Sequence, residues 1–199
     1  YLKKNLDRGF NDLSFFEIGP SFFGKKSGQQ ITVACGIKTG TVPRHYLSTL
    51  EQDRDIDVFD IKRDLIQSLN ELGINQNEIF VEQKGPNYYH PGISGFIITK
   101  NGAQTLATFG NIHPKILKNL KVEAWTPIYG FEIFLENLVK FKSQNKKDKS
   151  TITFSDYQKS ERDFAFVIDK NFKVQDLVNI ISEVDKNLIR SVKVFDVYE

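Results

Sequence analysis

The sequence predicts an α+β fold: an antiparallel sheet with flanking helices, followed by a shorter β-α-β segment. Three observations carry this prediction. Two strand-like runs, residues 95–100 and 104–109, are joined through Asn101-Gly102, a pair that accepts the positive φ angles of a type I′ hairpin turn. Between them and the N-terminus, Val58, Ile61, Leu65, Leu69 and Leu72 recur at steps of three and four, which lines one face of a helix. At residues 140–150 the chain reads KFKSQNKKDKS, with no apolar residue after Phe141. Such a run is a solvated linker and a domain boundary, although a tether to RNA phosphate is the alternative use of five lysines.

The elements follow in order. LSFFEIGPSFFG (residues 13–24) is a strand, a break at Gly19-Pro20, and more extended chain. Residues 25–28 suit a hairpin turn before a second strand, QQITVACGIK (29–38). After the loop TGTVPRHYLST comes the helix, with Asp57 as its cap and Gly73 where a left-handed residue ends it. Strands follow at 79–83, 95–100 and 104–109. HPKILKNL is a short helix opened by Pro114 in its first turn, and IYGFEIFLE (128–136) is another strand.

Beyond the linker, ERDFAFVID (161–169) leads three charged groups into an apolar run. Phe164, Phe166 and Ile168 share one strand face, Ala165 and Val167 the other. Val174, Leu177, Val178, Ile181 and Val184 line a helix, and IRSVKVFDVYE is a last strand. The order β-α-β is half of a ferredoxin-like unit. Two strands and a helix bury too little to stand alone, so the segment is expected to lean on residues outside it.

Composition narrows the function classes. Apolar residues make up 40% of the chain, enough for a packed core. The net charge of +2 leaves nucleic-acid binding to a local patch. A single cysteine, Cys35, forms no intrachain disulfide and favours a reducing compartment. No run of about 18 apolar residues spans a membrane, and no signal-peptide pattern opens the chain. Tyr1 in place of Met, with Met absent altogether, is the expectation for a piece of a longer protein.

Sites of familiar chemistry are absent from the pattern. His45, His90 and His113 are scattered, whereas metal sites bring several ligands together at close spacing. Neither a phosphate-binding glycine loop nor a nucleophile elbow occurs. Glu161 and Asp163 share a strand face. They would form an acid–base pair only if buried and mutually repulsive, and a solvated strand opening explains them as well. The Tyr-rich NYYH (87–90) reads as an interface loop or a buried plug.

Six stretches occur together in one order: NLDRGFNDLSFFEIGPSFFG, VFDIKRDLIQSL, YYHPGISG, FGNIHPKIL, GFEIFLENL and YQKSERDFAFVID…VFDVYE. In this the chain resembles the C-terminal part of the bacterial phenylalanyl-tRNA synthetase β subunit, over essentially all its length. The resemblance implies three regions. Residues 1–142 would be a catalytic-like module, a class II synthetase-like antiparallel sheet with flanking helices that performs no adenylation. Residues 143–156 would be the basic linker. Residues 157–199 would be the N-terminal half of the ferredoxin-fold anticodon-binding domain. It also implies partners: the α subunit holding the ATP and phenylalanine site, tRNA(Phe), and a second αβ pair in a cytoplasmic heterotetramer that uses ATP and Mg²⁺. The family's editing and β-subunit Mg²⁺ sites would lie upstream.

Class II cores grip ATP through arginines, whose guanidinium forks onto phosphate. Here no Arg occurs between Arg8 and Arg44, Lys25 and Lys26 lie in a turn, and Asn137 stands where an Arg would follow the Glu of GFEIFLEN. Neither catalytic nor cofactor-binding residues are therefore expected. Within YYHPGISG, Ile93 and Gly95 depart from the Arg and Ala common in the family. Lys159, Arg162, Arg190 and Lys193 are the candidate tRNA phosphate contacts. The rival reading is a non-enzymatic interaction or RNA-binding module with no part in aminoacylation. A hydrolase using Glu161 and Asp163 is a third, and would show a raised carboxylate pKa.

Overall fold

The computed structural model describes residues 1–42, 54–123, 126–144, 158–169, 172–185 and 187–196. His45, and most of the predicted linker, lie outside them. The chain divides into two units, Tyr1–Lys149 and Ser150–Glu199.

The first unit runs α1 (Leu2–Leu6), β1 (Leu13–Phe22), β2 (Gln30–Thr39), β3 (Thr41–Val42), β4 (Arg54–Asp55) and α2 (Val58–Glu71). It continues with β5 (Ile79–Glu82), β6 (Tyr89–Thr99), β7 (Thr105–Ile112), α3 (Pro114–Asn119), β8 (Tyr129–Phe134) and α4 (Leu135–Gln144). Six strands form one antiparallel sheet in the order β1-β2-β8-β7-β6-β5, and β3 pairs with β4 apart from it. The two hairpins predicted from turn residues supply β1–β2 and β6–β7. Bringing β8 between β2 and β7 closes the sheet over long sequence distances.

The core lies between the sheet and α2. Ile61, Leu65 and Leu69, the periodic residues of the helix, pack with Ala107, Phe109, Phe131 and Ile133 of the sheet. Fully burying one such side chain contributes roughly 1.5–3 kcal/mol, so this stripe anchors the layer. Asp57 caps the helix through Phe59 and Asp60 N–H groups, and Gly73 takes φ +82° beyond its end. Helix α4 adds Leu138 and Phe141 to the same core. It lies beside the end of α2, where Lys142 Nζ donates to Leu72 O at 2.7 Å.

Four sequence expectations are corrected. Gly19-Pro20 does not break β1, which runs through both. The strand is at the sheet edge, where proline's missing N–H is tolerated. Residues 89–94, expected as loop, belong to β6, with a register shift between Tyr89 and Ser94. The Asn101-Gly102 connection is longer than a two-residue type I′ turn. Thr99 N–H closes on Gln104 O, only Gly102 has positive φ, and Asn101 Oδ1 instead accepts from Ala103 N and Thr99 Oγ1. The strand predicted at 128–136 stops at Phe134, and Leu135 opens a helix.

The second unit has α5 (Val174–Val184) where the apolar spacing placed it. Residues 158–169 and 187–196 carry no assigned strand pairing. Phe164 and Val167 are exposed, which is the physical consequence of one helix offering too little surface to bury against.

Candidate functional site

Helices α2 and α4 share one sheet face, and register fixes what stands on the other. One row crosses five strands as Glu17, Cys35, Glu132, Thr108 and Phe96. The adjacent row is Phe15, Ile37, Gly130, Gly110 and Ser94. The 83–88 connection folds over part of this face. Gly85 N–H donates to Ser94 Oγ at 3.1 Å, and Tyr88 Oη donates to Glu132 in a short hydrogen bond. Tyr89 is only 2% exposed, so NYYH is here a plug. The Thr108 hydroxyl is buried without a hydrogen-bond partner among the described residues.

Electrostatically this face is acidic. Burial, and then Glu132, push the Tyr88 and Tyr89 phenols far above their ordinary value. Burial, followed by Glu17 and Glu132, raises the Cys35 thiol. Neither row contains Lys or Arg. A nucleotide triphosphate laid here would meet two carboxylates and no cation from the strands, so the residues present do not fit ATP. The other places where class II arginines are expected are also occupied by structure. Lys26 lies in the β1–β2 turn, its N–H donating to Gln29 Oε1 at 2.9 Å. Asn137 Nδ2 donates to Thr105 O at 2.8 Å, tying α4 to β7.

The cations near the sheet work on the helix side. Lys38 pairs with Asp64. Asp60, 3% exposed, receives Arg54 through both guanidinium nitrogens at 2.7 Å and Arg63 at 2.9 Å. Chiefly the Arg54 bonds hold its carboxyl well below the usual carboxylate range, against the opposing effect of burial. Asp60 also accepts Asp57 N–H, so this cluster builds the start of α2.

In the second unit Lys159, Arg162, Arg190 and Lys193 are all exposed. Lys159 Nζ pairs with Glu161 at 2.5 Å, and Arg162 Nη1 donates to the Glu161 carbonyl at 2.8 Å. Glu161 is lowered first by its Lys159 hydrogen bond, with Lys193 adding a smaller electrostatic contribution. Lys159 thus pairs with the Glu161 carboxylate, Lys193 acts on it electrostatically, and Arg162 bonds the backbone of the same residue. A lowered, exposed Glu161 is the opposite of what acid–base catalysis with Asp163 requires.

His90 and His113 stack at 6.3 Å between ring centroids. His90 Nδ1 accepts from Gly92 N, and His113 Nδ1 from Lys115 N, which makes His113 the cap of α3. Among the described residues no three His, Cys, Asp or Glu side chains gather as metal ligands, and no helix is long and apolar enough to cross a membrane. The acidic row was missed from sequence. Alternation could place Glu17 and Cys35 on definite faces of their strands, but joining them to Glu132 requires the β2–β8 pairing across about a hundred residues.

Comparison with known proteins agrees with this division. The description "Phenylalanyl tRNA synthetase beta chain CLM domain" matches residues 1–135, and "Ferredoxin-fold anticodon binding domain" matches residues 155–199. The phenylalanine–tRNA ligase beta subunit of Paramagnetospirillum magneticum is 40% identical over 197 residues, covering 98% of this chain and 24% of that protein. The corresponding protein of Rhodospirillum rubrum is 38% identical over 197 residues, with the same 98% and 24% coverage. A solved pyrrolysyl tRNA synthetase from Desulfitobacterium hafniense has a TM-score of 0.48 at 15% identity, over 72% of this chain and 45% of that one. The chain spans about a quarter of the length of the curated relatives it matches.

Proposed function

The chain belongs to the phenylalanyl-tRNA synthetase beta chain family, and from that premise we propose that it is a non-catalytic portion of phenylalanine–tRNA ligase. Residues 1–142 act as a class II synthetase-like scaffold that docks on the catalytic α subunit. Residues 143–156 are a basic linker. Residues 157–199 form half of an anticodon-binding domain that touches tRNA(Phe). The complete enzyme, a cytoplasmic heterotetramer of two α and two β chains, joins phenylalanine to its tRNA with ATP and Mg²⁺ at the α-subunit site.

The observation that carries this reading is the acidic sheet face. Phosphoryl and adenylyl chemistry needs cations where negative charge develops, and the strands offer Glu17 and Glu132 instead. The role left to such a scaffold is to hold and position. Lys159, Arg162, Arg190 and Lys193 supply the exposed cations for tRNA phosphate.

Three measurements test it. Calorimetric titration of the chain with ATP and Mg²⁺ should show no binding, and mixing with the cognate α subunit should give a stoichiometric complex. Charge reversal of the four cations should weaken tRNA(Phe) binding and flatten its salt dependence by about 0.7–0.9 per lost contact. Tight ATP binding, or indifference to the α subunit, would overturn the proposal in favour of an enzyme or an unrelated interaction module.

A further inference from the structure

A second group of cations stands in the first unit, beside a cleft that no assigned role absorbs. The cleft has a volume of about 780 Å³, formed by the end of β7, α3 and residues 126–127. It is an open surface depression rather than an enclosed cavity. Ile112, Leu117, Val122 and Pro127 give it apolar walls, and Lys118 and Lys121 stand at it with Glu123 as the one carboxylate of its described lining. Its far wall is pinned, because Thr126 Oγ1 accepts Gly40 N–H at 3.0 Å and shares a hydrogen bond with Thr39 Oγ1 at 2.9 Å.

Two features mark this group. Lys115, Lys118 and Lys121 recur every third residue and, like exposed Lys4, Lys25 and Lys84, have no ion pair among the described residues. Lys121 is also the one described non-glycine residue with positive φ, at 53°. It ends α3 in a Schellman arrangement, with Lys121 N–H on Lys118 O and Val122 N–H on Leu117 O. Gly fills that position at least cost. Proximity to a helix C-terminus accounts for Lys118, but it gives no reason to place a lysine in the left-handed position.

We propose that this cleft is a tRNA-binding subsite, in which Lys118 and Lys121 hold backbone phosphate and the apolar walls receive the adjoining sugar and base. The inference rests on the reading of the chain as a tRNA ligase portion, since complementarity to a polyanion is what selects RNA. It goes beyond that reading by adding a contact region outside the anticodon-binding segment.

The test is tRNA(Phe) binding to the whole chain, followed by fluorescence anisotropy across a salt series. The variant Lys118→Gln/Lys121→Gly removes both charges while giving the left-handed position the residue it favours, so thermal stability should hold or rise. Expected are an affinity loss of about tenfold near physiological salt and a salt slope shallower by about 1.4–1.8. An unchanged affinity and slope overturn the inference, and if charge reversal at Lys159 and Arg162 still weakens binding, the functional reading survives without it. A parent chain that binds no tRNA overturns both. Displacement of tRNA by millimolar ATP or inorganic phosphate would mean a small-anion site, and a variant defective only in α-subunit capture would mean a protein interface. Either result defeats the proposal.

Discussion

Asp60→Asn is expected to destabilise the first unit by about 3 kcal/mol. The carboxylate accepts four hydrogen bonds, two from Arg54 at 2.7 Å, one from Arg63 at 2.9 Å and one from Asp57 N–H at 3.0 Å. An asparagine can accept on one atom only, and its NH₂ would face guanidinium donors. At least two charge-assisted bonds are lost, each worth roughly 1.5–3 kcal/mol. Arg54 is 50% exposed and regains water, so the lower end of that sum, about 3 kcal/mol, is expected. In a unit of this size each kcal/mol lowers Tm by about 2–4 °C, which gives a fall of roughly 6–12 °C in calorimetry at pH 7. The sign with pH follows from the depressed carboxyl. Its contribution is present above the unfolded value near 3.9 and is lost as pH falls toward the folded value. The gap between parent and variant should therefore narrow from about pH 5 downward. A variant within about 0.5 kcal/mol of the parent at pH 7, or a gap that stays constant down to pH 2, would refute the assignment.

Three further outcomes follow from packing and burial. Leu65→Ala, at a fully buried position of α2, should cost about 2–5 kcal/mol in urea denaturation, and a smaller loss would mean the sheet–helix layer is not the core. Gly110→Ala places a Cβ 2.6 Å from Ser94 Cβ and 2.7 Å from the Ile93 carbonyl oxygen; because backbone cannot rotate away, about 3 kcal/mol is expected, the upper end of overpacking costs. Cys35 is raised by burial, Glu17 and Glu132, so it should react slowly with a disulfide reagent at pH 8. Glu17→Gln should speed it, and equal rates would show that the acidic row does not act on the thiol.

What the sequence made legible was local. The α2 stripe and its Asp57 cap, the Pro114 start of α3, and the α5 face are set by residues within a few positions of one another, and each appears in the structure. Errors came where a long-range partner decided the outcome. Pro20 reads as a break until β1 is known to be an edge, and Tyr89 reads as loop until Gly130 and Ile112 are seen to flank it. Asn101 keeps its φ negative because its side chain, not its backbone, organises the turn. The predicted strands 161–169 and 189–199 have no assigned pairing among the described residues, while the ferredoxin-fold description matches residues 155–199. Alternation marks them, but pairing needs surface that two strands and one helix lack.

The distribution of charge across the two sheet faces then gives the absence of arginines its meaning. A missing guanidinium could be replaced by any other cation reaching the same space. Here the cations beside the sheet are spent on the covered face, Lys38 on Asp64 and the Arg54–Arg63 pair on Asp60. The opposite face is given to Glu17, Glu132 and the Tyr88 and Tyr89 phenols, which resist ionisation. Restoring one arginine would leave a phosphate facing two carboxylates at short range, where their repulsion is weakly screened. Phe15→Arg places a guanidinium in the row beside Glu17 and should form an ion pair with it rather than an ATP site. Calorimetry with ATP would then remain silent, whereas Phe15→Arg combined with Glu17→Gln and Glu132→Gln should begin to bind the nucleotide weakly. If the single substitution alone created ATP affinity, the carboxylates would not be what keeps this face inert.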